Sequence, residues 1–387
     1  MKTKILLAYI FEFFRDGFYV GIFLLLPFIV KDIHLNLLQA GSLQSAINIL
    51  YLLLAIPIVT LLFRYGEIRI LLISILLYAL GFIGFFYVNS YISLLLIFLI
   101  FGVSFSFYSI ISNHIRATWF DKETRGKDLG NLMAVGDVGK VIFSSLTAFF
   151  AVLIGWRYIS LTIGIIAAIT FFIFSILLRK TYLPKTDEID NKFKPKYSYF
   201  LKQKLFVFAL LAGSLDEGIN TPLYAFLPFL LLHKGVSPIY VGFVAGFYYF
   251  GNIISRLIFG RLVDRIGDAK VLIILEIIMS ILIFSIASFS SITTVGIIAF
   301  ILGIITEGTD PATYSMTAHS LEKIEQPQKA SGIKTIFNGI SKIFFPFLIG
   351  LIATQMGIVW GFYILAIASL LPIIPAWLYL KEKTDLN

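Results

Sequence analysis

The chain has 387 residues, of which 59% are hydrophobic and only 14% charged, and its mean hydropathy is +0.93. Soluble domains carry roughly 25% charged residues, so a cytosolic enzyme, a disordered chain and a nucleic-acid binder are all excluded. The net charge of +9 is the Lys and Arg excess that membrane proteins concentrate on cytoplasmic loops, and with no cysteine there is no disulfide, thiolate nucleophile or Cys-ligated metal.

A membrane-crossing helix needs about 20 apolar residues. Runs of that kind fall at about 5–30, 37–63, 70–88, 92–115, 129–153, 158–178, 205–232, 239–260, 271–289, 294–318, 332–353 and 358–380. The first is too long for a signal peptide, carries Glu12, Arg15 and Asp16, and lacks a small-residue cleavage site, so it is expected to remain as a span. Twelve spans return the chain to its starting side. Placing both termini in the cytoplasm leaves only Lys31, Arg157 and Lys234 of the 31 Lys and Arg in outside connections, an asymmetry that predicts a plasma-membrane protein with both termini cytoplasmic. The Arg179 to Lys204 stretch holds Pro184, Pro195 and many lysines, as a solvated linker would. The expected organisation is therefore a six-helix bundle over 1–180, a cytoplasmic linker over 181–204 and a second six-helix bundle over 205–387. An alternative for the linker lysines is binding of anionic lipid heads.

An internal repeat accompanies this division. A shift of 201 residues superposes Gly17 on Gly218, Leu26-Pro27-Phe28 on Leu227-Pro228-Phe229, Gly41 on Gly242, Arg64 on Arg265, Gly66 on Gly267 and Arg69 on Lys270. A shift of 202 superposes Lys127 on Lys329, Gly130 on Gly332, Lys140 on Lys342 and Gly155 on Gly357. Matched Gly and Pro imply matched backbone demands, either close packing or a bend. The fold class is thus all-α and polytopic, with twelve transmembrane helices as two pseudo-symmetric six-helix bundles in parallel topology.

The loop after the eighth span reads Gly260-Arg-Leu-Val-Asp264-Arg265-Ile-Gly267-Asp-Ala-Lys270. It resembles the signature loop of the major facilitator superfamily, G-x-x-x-D-R-x-G-x-x-[RK], and it lies at the inside, repeat-related place where that family carries it. The sister loop keeps Arg64, Gly66 and Arg69 but has Val59 and Phe63 where Gly and Asp would stand. Lys122 to Lys127 entering the fifth span and Gly155-Trp156-Arg157-Tyr158 between spans 5 and 6 also resemble the family. The general look is of small-molecule and drug efflux members, the fosmidomycin-resistance-like group. The resemblance implies inverted repeats within each half and spans 1, 4, 7 and 10 around a central cavity. For the signature loop, Asp264 can bond backbone amides at the start of a helix and Arg265 can pair with an acid, which would make Gly260, Asp264, Arg265, Gly267 and Lys270 an inner gate. The plainer alternative is a positively charged topogenic turn. Arg256 and Glu276, at similar depths on spans 8 and 9, are expected to form a supporting ion pair.

Charges also stand where lipid is expected. Glu12, Arg15 and Asp16 lie on span 1, Asp137 and Lys140 on span 5, Asp216 and Glu217 on span 7, Glu307 and Asp310 on span 10, and Lys342 on span 11. Each central charge costs roughly 2.5 to 3.5 kcal/mol on the insertion scale unless it is paired, protonated or hydrated. The i,i+3 and i,i+4 spacings put Glu12 with Arg15 and Asp16, Asp137 with Lys140, and Glu307 with Asp310 on one helix face each. Seven acids then oppose three bases, and the imbalance is greatest in the second half, where four acids face Lys342. Repulsion between like charges in a low-dielectric site favours protonation of one or more of them near neutral pH. The alternative, strongest for the first half, is a set of structural ion pairs.

These features predict a secondary transporter, not an enzyme, with proton-coupled export of a small organic solute by antiport and alternating access. Uptake of a small organic anion by proton symport is the alternative, with Arg15, Lys140 and Lys342 holding the anion. Proton coupling is expected at Glu307, Asp310, Asp216, Glu217 and Asp16, and a substrate cavity at Glu12, Arg15, Tyr19, Asp137, Lys140, Tyr224 and Lys342. Asn48, Tyr51, Asn220, Tyr248, Tyr249, Asn252 and Asn338 lie at similar depths and could also line it. His114 and His319, near inner ends of spans, are expected to be solvated. No nucleotide or metal motif is present, so no cofactor and no metal are expected. The partners are a small-molecule substrate, protons and the lipid bilayer, and the protein is expected to be a monomer that binds no nucleic acid.

Overall fold

The computed structural model describes residues 2–118, 125–178, 197–321 and 327–385. The expected linker and the Lys122 to Lys127 stretch fall largely outside the described residues, and nothing is described of the His114, Val59 and Phe63 side chains. Among the described residues the chain is entirely helical. In order, the helices are α1 (Lys2–Asp32), α2 (Leu37–Tyr65), α3 (Glu67–Phe85), α4 (Tyr91–Thr118), α5 (Arg125–Ile154), α6 (Trp156–Leu178), the single turn α7 (Tyr197–Phe200), α8 (Lys204–His233), α9 (Pro238–Ile266), α10 (Asp268–Ser288), α11 (Ile292–Thr306), α12 (Thr309–Ser320), α13 (Pro327–Met356), α14 (Ile358–Ala368) and α15 (Ile373–Asp385). Each apolar run of the sequence becomes one helix or one broken pair. The tenth run breaks between α11 and α12, at Glu307 and Gly308, just ahead of Pro311. The twelfth breaks between α14 and α15, ahead of which stands Pro372; that break was not foreseen.

Ten described spans are long and apolar enough to cross a membrane, or eleven if the bent α9 is taken as one. The 30-residue α8 is long enough but carries Asp216, Glu217 and Asn220 at its middle, which dilutes its apolar character. Large apolar side chains such as Leu53, Phe172, Ile176, Phe247, Ile281 and Trp377 are more than half exposed, as suits helices solvated by hydrocarbon. The protein is an integral membrane protein of twelve spans in two repeated six-helix bundles.

Two compact units divide the chain, Met1–Ile189 with Ser237–Gly246 and Asp190–Val236 with Phe247–Asn387. In the first, α1 packs along α5, α2 along α4, and α3 along α4 and α6. In the second, α8 packs along α13 and α10 along α12 and α14. Four glycines matched by the repeat explain themselves locally. Gly66 and Gly267, and Gly155 and Gly357, all have φ between 81° and 100°, where any other residue would be strained. They allow α2 to turn directly into α3, α5 into α6, and their counterparts likewise. A second matched feature is close helix approach. A Cβ on Gly17 would overlap the Phe143 ring, and one on Gly218 would overlap Phe345 and Ser341; Phe143 and Phe345 are themselves repeat mates.

Where the obstacle is backbone it cannot move aside. A Cβ on Gly139 would overlap the Phe13 carbonyl, and one on Gly303 the Tyr248 carbonyl. Gly139→Ala and Gly303→Ala are each expected to cost about 1–3 kcal/mol through overpacking and to lower the melting temperature in detergent. Gly296→Ala, with open space around it, is expected to melt with the parent. Equal melting of all three variants would show that these approaches are not tight.

Two of the three bases expected outside have visible structural partners. Arg157 reaches Asp32 Oδ2 at 2.6 Å and the Val88 carbonyl at 3.0 Å. Lys234 donates to the Ala287 and Phe289 carbonyls at 2.7 and 2.6 Å, satisfying groups that the end of α10 leaves open. Partial burial pushes the Lys234 ammonium below its ordinary pKa. Val88 and Phe289 are repeat mates, so each half anchors the same carbonyl with a different cation.

Candidate functional site

In the first unit the charged residues of α1 and α5 form one chain. Arg15 Nη2 donates to Glu12 Oε1 at 2.9 Å, and Arg15 Nε lies 2.8 Å from Asp16 Oδ1. Lys140 Nζ lies 2.8 Å from Asp137 Oδ1 and 3.9 Å from Asp16 Oδ2. The i,i+3 spacing read in the sequence produces the Glu12–Arg15 and Asp137–Lys140 pairs, and the small Gly136, whose Cβ would overlap Asp16 Oδ2, lets α5 come close enough to join them. On α4, Tyr108 donates its hydroxyl to Glu12 and carries the Arg15 guanidinium over its ring at 3.9 Å, a cation–π contact. Ser112 Oγ is 3.4 Å from the same Glu12 oxygen. Tyr108 and Ser112 were not singled out in the sequence, because a Tyr and a Ser in an apolar run carry no signal until the run's rotation is known. Tyr19 stacks on Phe105 at 5.1 Å, and Asn48 donates to its own helix at Gln44.

In the second unit, Lys342 Nζ on α13 is 2.5 Å from Glu217 Oε2 on α8. Asp16 and Glu217 are repeat mates, as are Lys140 and Lys342, so the same acid–lysine contact is built twice. Around Asp216, also on α8, Asn220 Nδ2 donates to Oδ1 and Thr309 Oγ to Oδ2, both at 3.0 Å. Glu307, at the break between α11 and α12, accepts from Arg256 Nη2 at 3.0 Å and Asn252 Nδ2 at 3.2 Å. Asp310 is half-buried beside Glu307 and makes no ion pair among the described residues. Tyr224 packs against Tyr248 and Tyr249 at 5.7 and 6.5 Å, and Asn338 accepts from Ser214.

Two expectations are corrected here. Arg256 does not pair with Glu276; it pairs with Glu307, and both oxygens of the fully buried Glu276 lack a hydrogen-bond partner. Similar depth put Arg256 and Glu276 together in the sequence, but depth does not say which way around the helix a side chain points. The second half's acids also do not face Lys342 alone, since Arg256 is engaged and Lys334 on α13 interacts with Glu217, Asp310 and Asp216. Counting Glu276, five acids face three bases there.

At the end of the second unit that carries the signature motif, Asp264, Arg265 and Gly260 are exposed, and Gly267 opens α10 with no side-chain cap. The amide of Ala269 is satisfied by Asp268 Oδ1 at 2.8 Å. Asp268 is buried and gathers His319 Nδ1 at 2.8 Å, Lys383 Nζ at 3.4 Å and Ser315 Oγ at 3.4 Å, so it ties the start of α10 to α12 and α15. His319 is thus a hydrogen-bond partner of the buried Asp268 as well as a half-exposed residue, which its position near a span end did not reveal. Among the described residues no group of three or more metal-ligating side chains occurs.

The family model described as the Major Facilitator Superfamily matches residues 5–230 and 210–386. No curated protein matches the chain in sequence. Among solved structures, a bacterial homolog of the human lysosomal transporter Spinster, in an inward-facing and occupied conformation, is 16% identical with a TM-score of 0.73, over 98% of this chain and 96% of that one. The nucleoside transporter NupG is 14% identical with a TM-score of 0.75, over 98% and 99%. Such likeness concerns the fold, and it agrees with the twofold helical repeat, the polar interior of each bundle and the signature loop. The chain belongs to the Major Facilitator Superfamily and is a membrane transporter, not an enzyme.

Proposed function

We propose that the protein is a secondary active transporter that exports a small organic solute in exchange for protons by alternating access. The observation that carries this reading is the excess of buried acid in the second bundle. Glu217 and Glu307 have basic partners, whereas Asp310, Asp216 and Glu276 make no ion pair among the described residues. Carboxyls in that condition exchange protons as their surroundings change. Glu307 and Asp310 flank the α11–α12 break, where helix hydrogen bonding is interrupted and water can enter, and they are the coupling pair in this reading. Uptake of an anion is less well supported, because Arg15, Lys140 and Lys342 are each already held by a carboxylate.

The domain limits 1–180, 181–204 and 205–387, a plasma-membrane location and a monomeric state belong to the same reading, as do cytoplasmic termini, which the distribution of Lys and Arg supports. So does a gating role for the Gly260 to Lys270 loop, supported by its exposed Asp264 and Arg265. The efflux character rests on the resemblance to fosmidomycin-resistance-like members and on an acid-rich interior suited to cationic or amphipathic solutes. In proteoliposomes, an imposed pH gradient without ATP or sodium is expected to drive such a solute uphill while an entrapped pH dye reports protons moving the opposite way. Solute and protons moving together would reject antiport in favour of symport.

A further inference from the structure

We propose that Glu276 on α10 and Asp216 on α8 form a proton-binding site of their own, sharing one proton at neutral pH. The site lies apart from Glu307 and Asp310, and its use in transport rests on the proton-coupled reading above. Both side chains are fully buried, and their carboxyls lie side by side. Asp216 is framed by its two donors, Asn220 and Thr309. Glu276 has none: among the described residues no N–H or O–H reaches either of its oxygens, and what it meets is the Asp216 carboxyl. An ionised carboxylate without a single donor is the costliest group to bury, and a second carboxylate alongside adds repulsion. One proton removes both penalties, because the Glu276 hydroxyl becomes a donor to Asp216.

Among the described residues no cation lies within ion-pair distance of Asp216 or Glu276. Beside Asp216 stands Glu217, which holds Lys342 at 2.5 Å. Lys334 and Asp310 act on Asp216 at longer range, outside ion-pair distance. Of the elements packed on α10, α11 and α14 bring no acidic or basic side chain. On α12 and α15, His319 and Lys383 are taken up by Asp268 at the start of α10, Glu382 by Lys204, and Lys381 is exposed beside the Trp377 ring.

The repeat supplies an internal control. Sliding by 201 residues carries Arg15 onto Asp216, Ile75 onto Glu276 and Tyr108 onto Thr309. In the first unit Arg15 and Ile75 line one small cavity with Tyr108, and the guanidinium holds its positive charge permanently. In the second unit the equivalent place holds two acids and no base. A bound proton there supplies the positive charge that Arg15 supplies in the first unit, with the difference that it can leave. The single hydroxyl hydrogen of Thr309 lies between two acceptors, Asp216 Oδ2 at 3.0 Å and the Thr306 carbonyl at 2.8 Å, so protonation of the pair shifts it toward the carbonyl and occupancy is felt at the α11–α12 break beside Glu307 and Asp310.

Infrared spectroscopy of the full-length protein in lipid, with no solute and no gradient, tests the site separately from transport, so failure of the export reading would leave this result standing. At neutral pH a protonated-carboxyl C=O band is expected, with a shift on deuterium exchange. Glu276→Gln should lose one such band, and Asp216→Asn should shift it by changing its hydrogen-bond partner. The latter decides if Glu276→Gln does not fold. The band should survive in the Glu307→Gln/Asp310→Asn double variant. The proposal is overturned if the parent has no such band, if neither single variant alters it, if the double variant abolishes it, or if sodium in place of protons changes the carboxyl spectrum.

Discussion

Replacing Glu307 with Gln and Asp310 with Asn together is expected to abolish uphill, pH-gradient-driven solute movement in proteoliposomes while leaving folding, and exchange of labelled for unlabelled solute, close to parent level. The break between α11 and α12 places both carboxyls beside interrupted backbone. Glu307 is held by Arg256 at 3.0 Å and Asn252 at 3.2 Å, so its charge is anchored, whereas Asp310 shares that surrounding without an ion pair of its own. Movement of α12 relative to Arg256 changes the charge that Asp310 feels, which is the linkage that couples proton release to conformation. The amides keep the shape and most hydrogen bonds but cannot ionise, so equilibrative exchange survives and proton-driven accumulation does not. A double variant that still concentrates solute on a proton gradient alone would move the coupling role to Asp16, Glu217 or the Asp216–Glu276 pair.

The second large effect concerns the first unit. Arg15→Leu leaves Glu12 and Asp16, only 2% and 7% exposed, facing one another without the guanidinium that contacts both at 2.9 and 2.8 Å, and it removes the cation from the Tyr108 ring. Lys140 does not compensate, since it is 3.9 Å from Asp16 and is engaged by Asp137. Breaking a buried ion pair by removing one partner typically costs about 3–5 kcal/mol. The variant is therefore expected to melt well below the parent in detergent, or to fail to accumulate. Adding Glu12→Gln and Asp16→Asn should recover most of the loss, because the penalty lies in the uncompensated charges. A triple variant no more stable than Arg15→Leu would place the cost in lost packing of the arginine stem instead.

Much of the architecture was legible in the chain itself, because it rests on properties that need no partner. Burial in lipid demands long apolar runs, so twelve spans could be counted. Positive-φ turns and close helix approach demand glycine, so Gly66 with Gly267, Gly155 with Gly357 and Gly17 with Gly218 revealed the duplication. Ion pairs within one helix, Glu12–Arg15 and Asp137–Lys140, followed from three-residue spacing alone. Contacts between helices were another matter. Lys140 with Asp16 and Lys342 with Glu217 join residues more than a hundred positions apart, and an apolar run with no polar stripe does not state which side faces inward. That rotation assigned Arg256 to Glu307, left Glu276 against Asp216 with no donor, and turned the unremarked Tyr108, Ser112 and Thr309 into site residues. Sequence decides which groups must be buried; only the packing of one helix on another decides which of them meet.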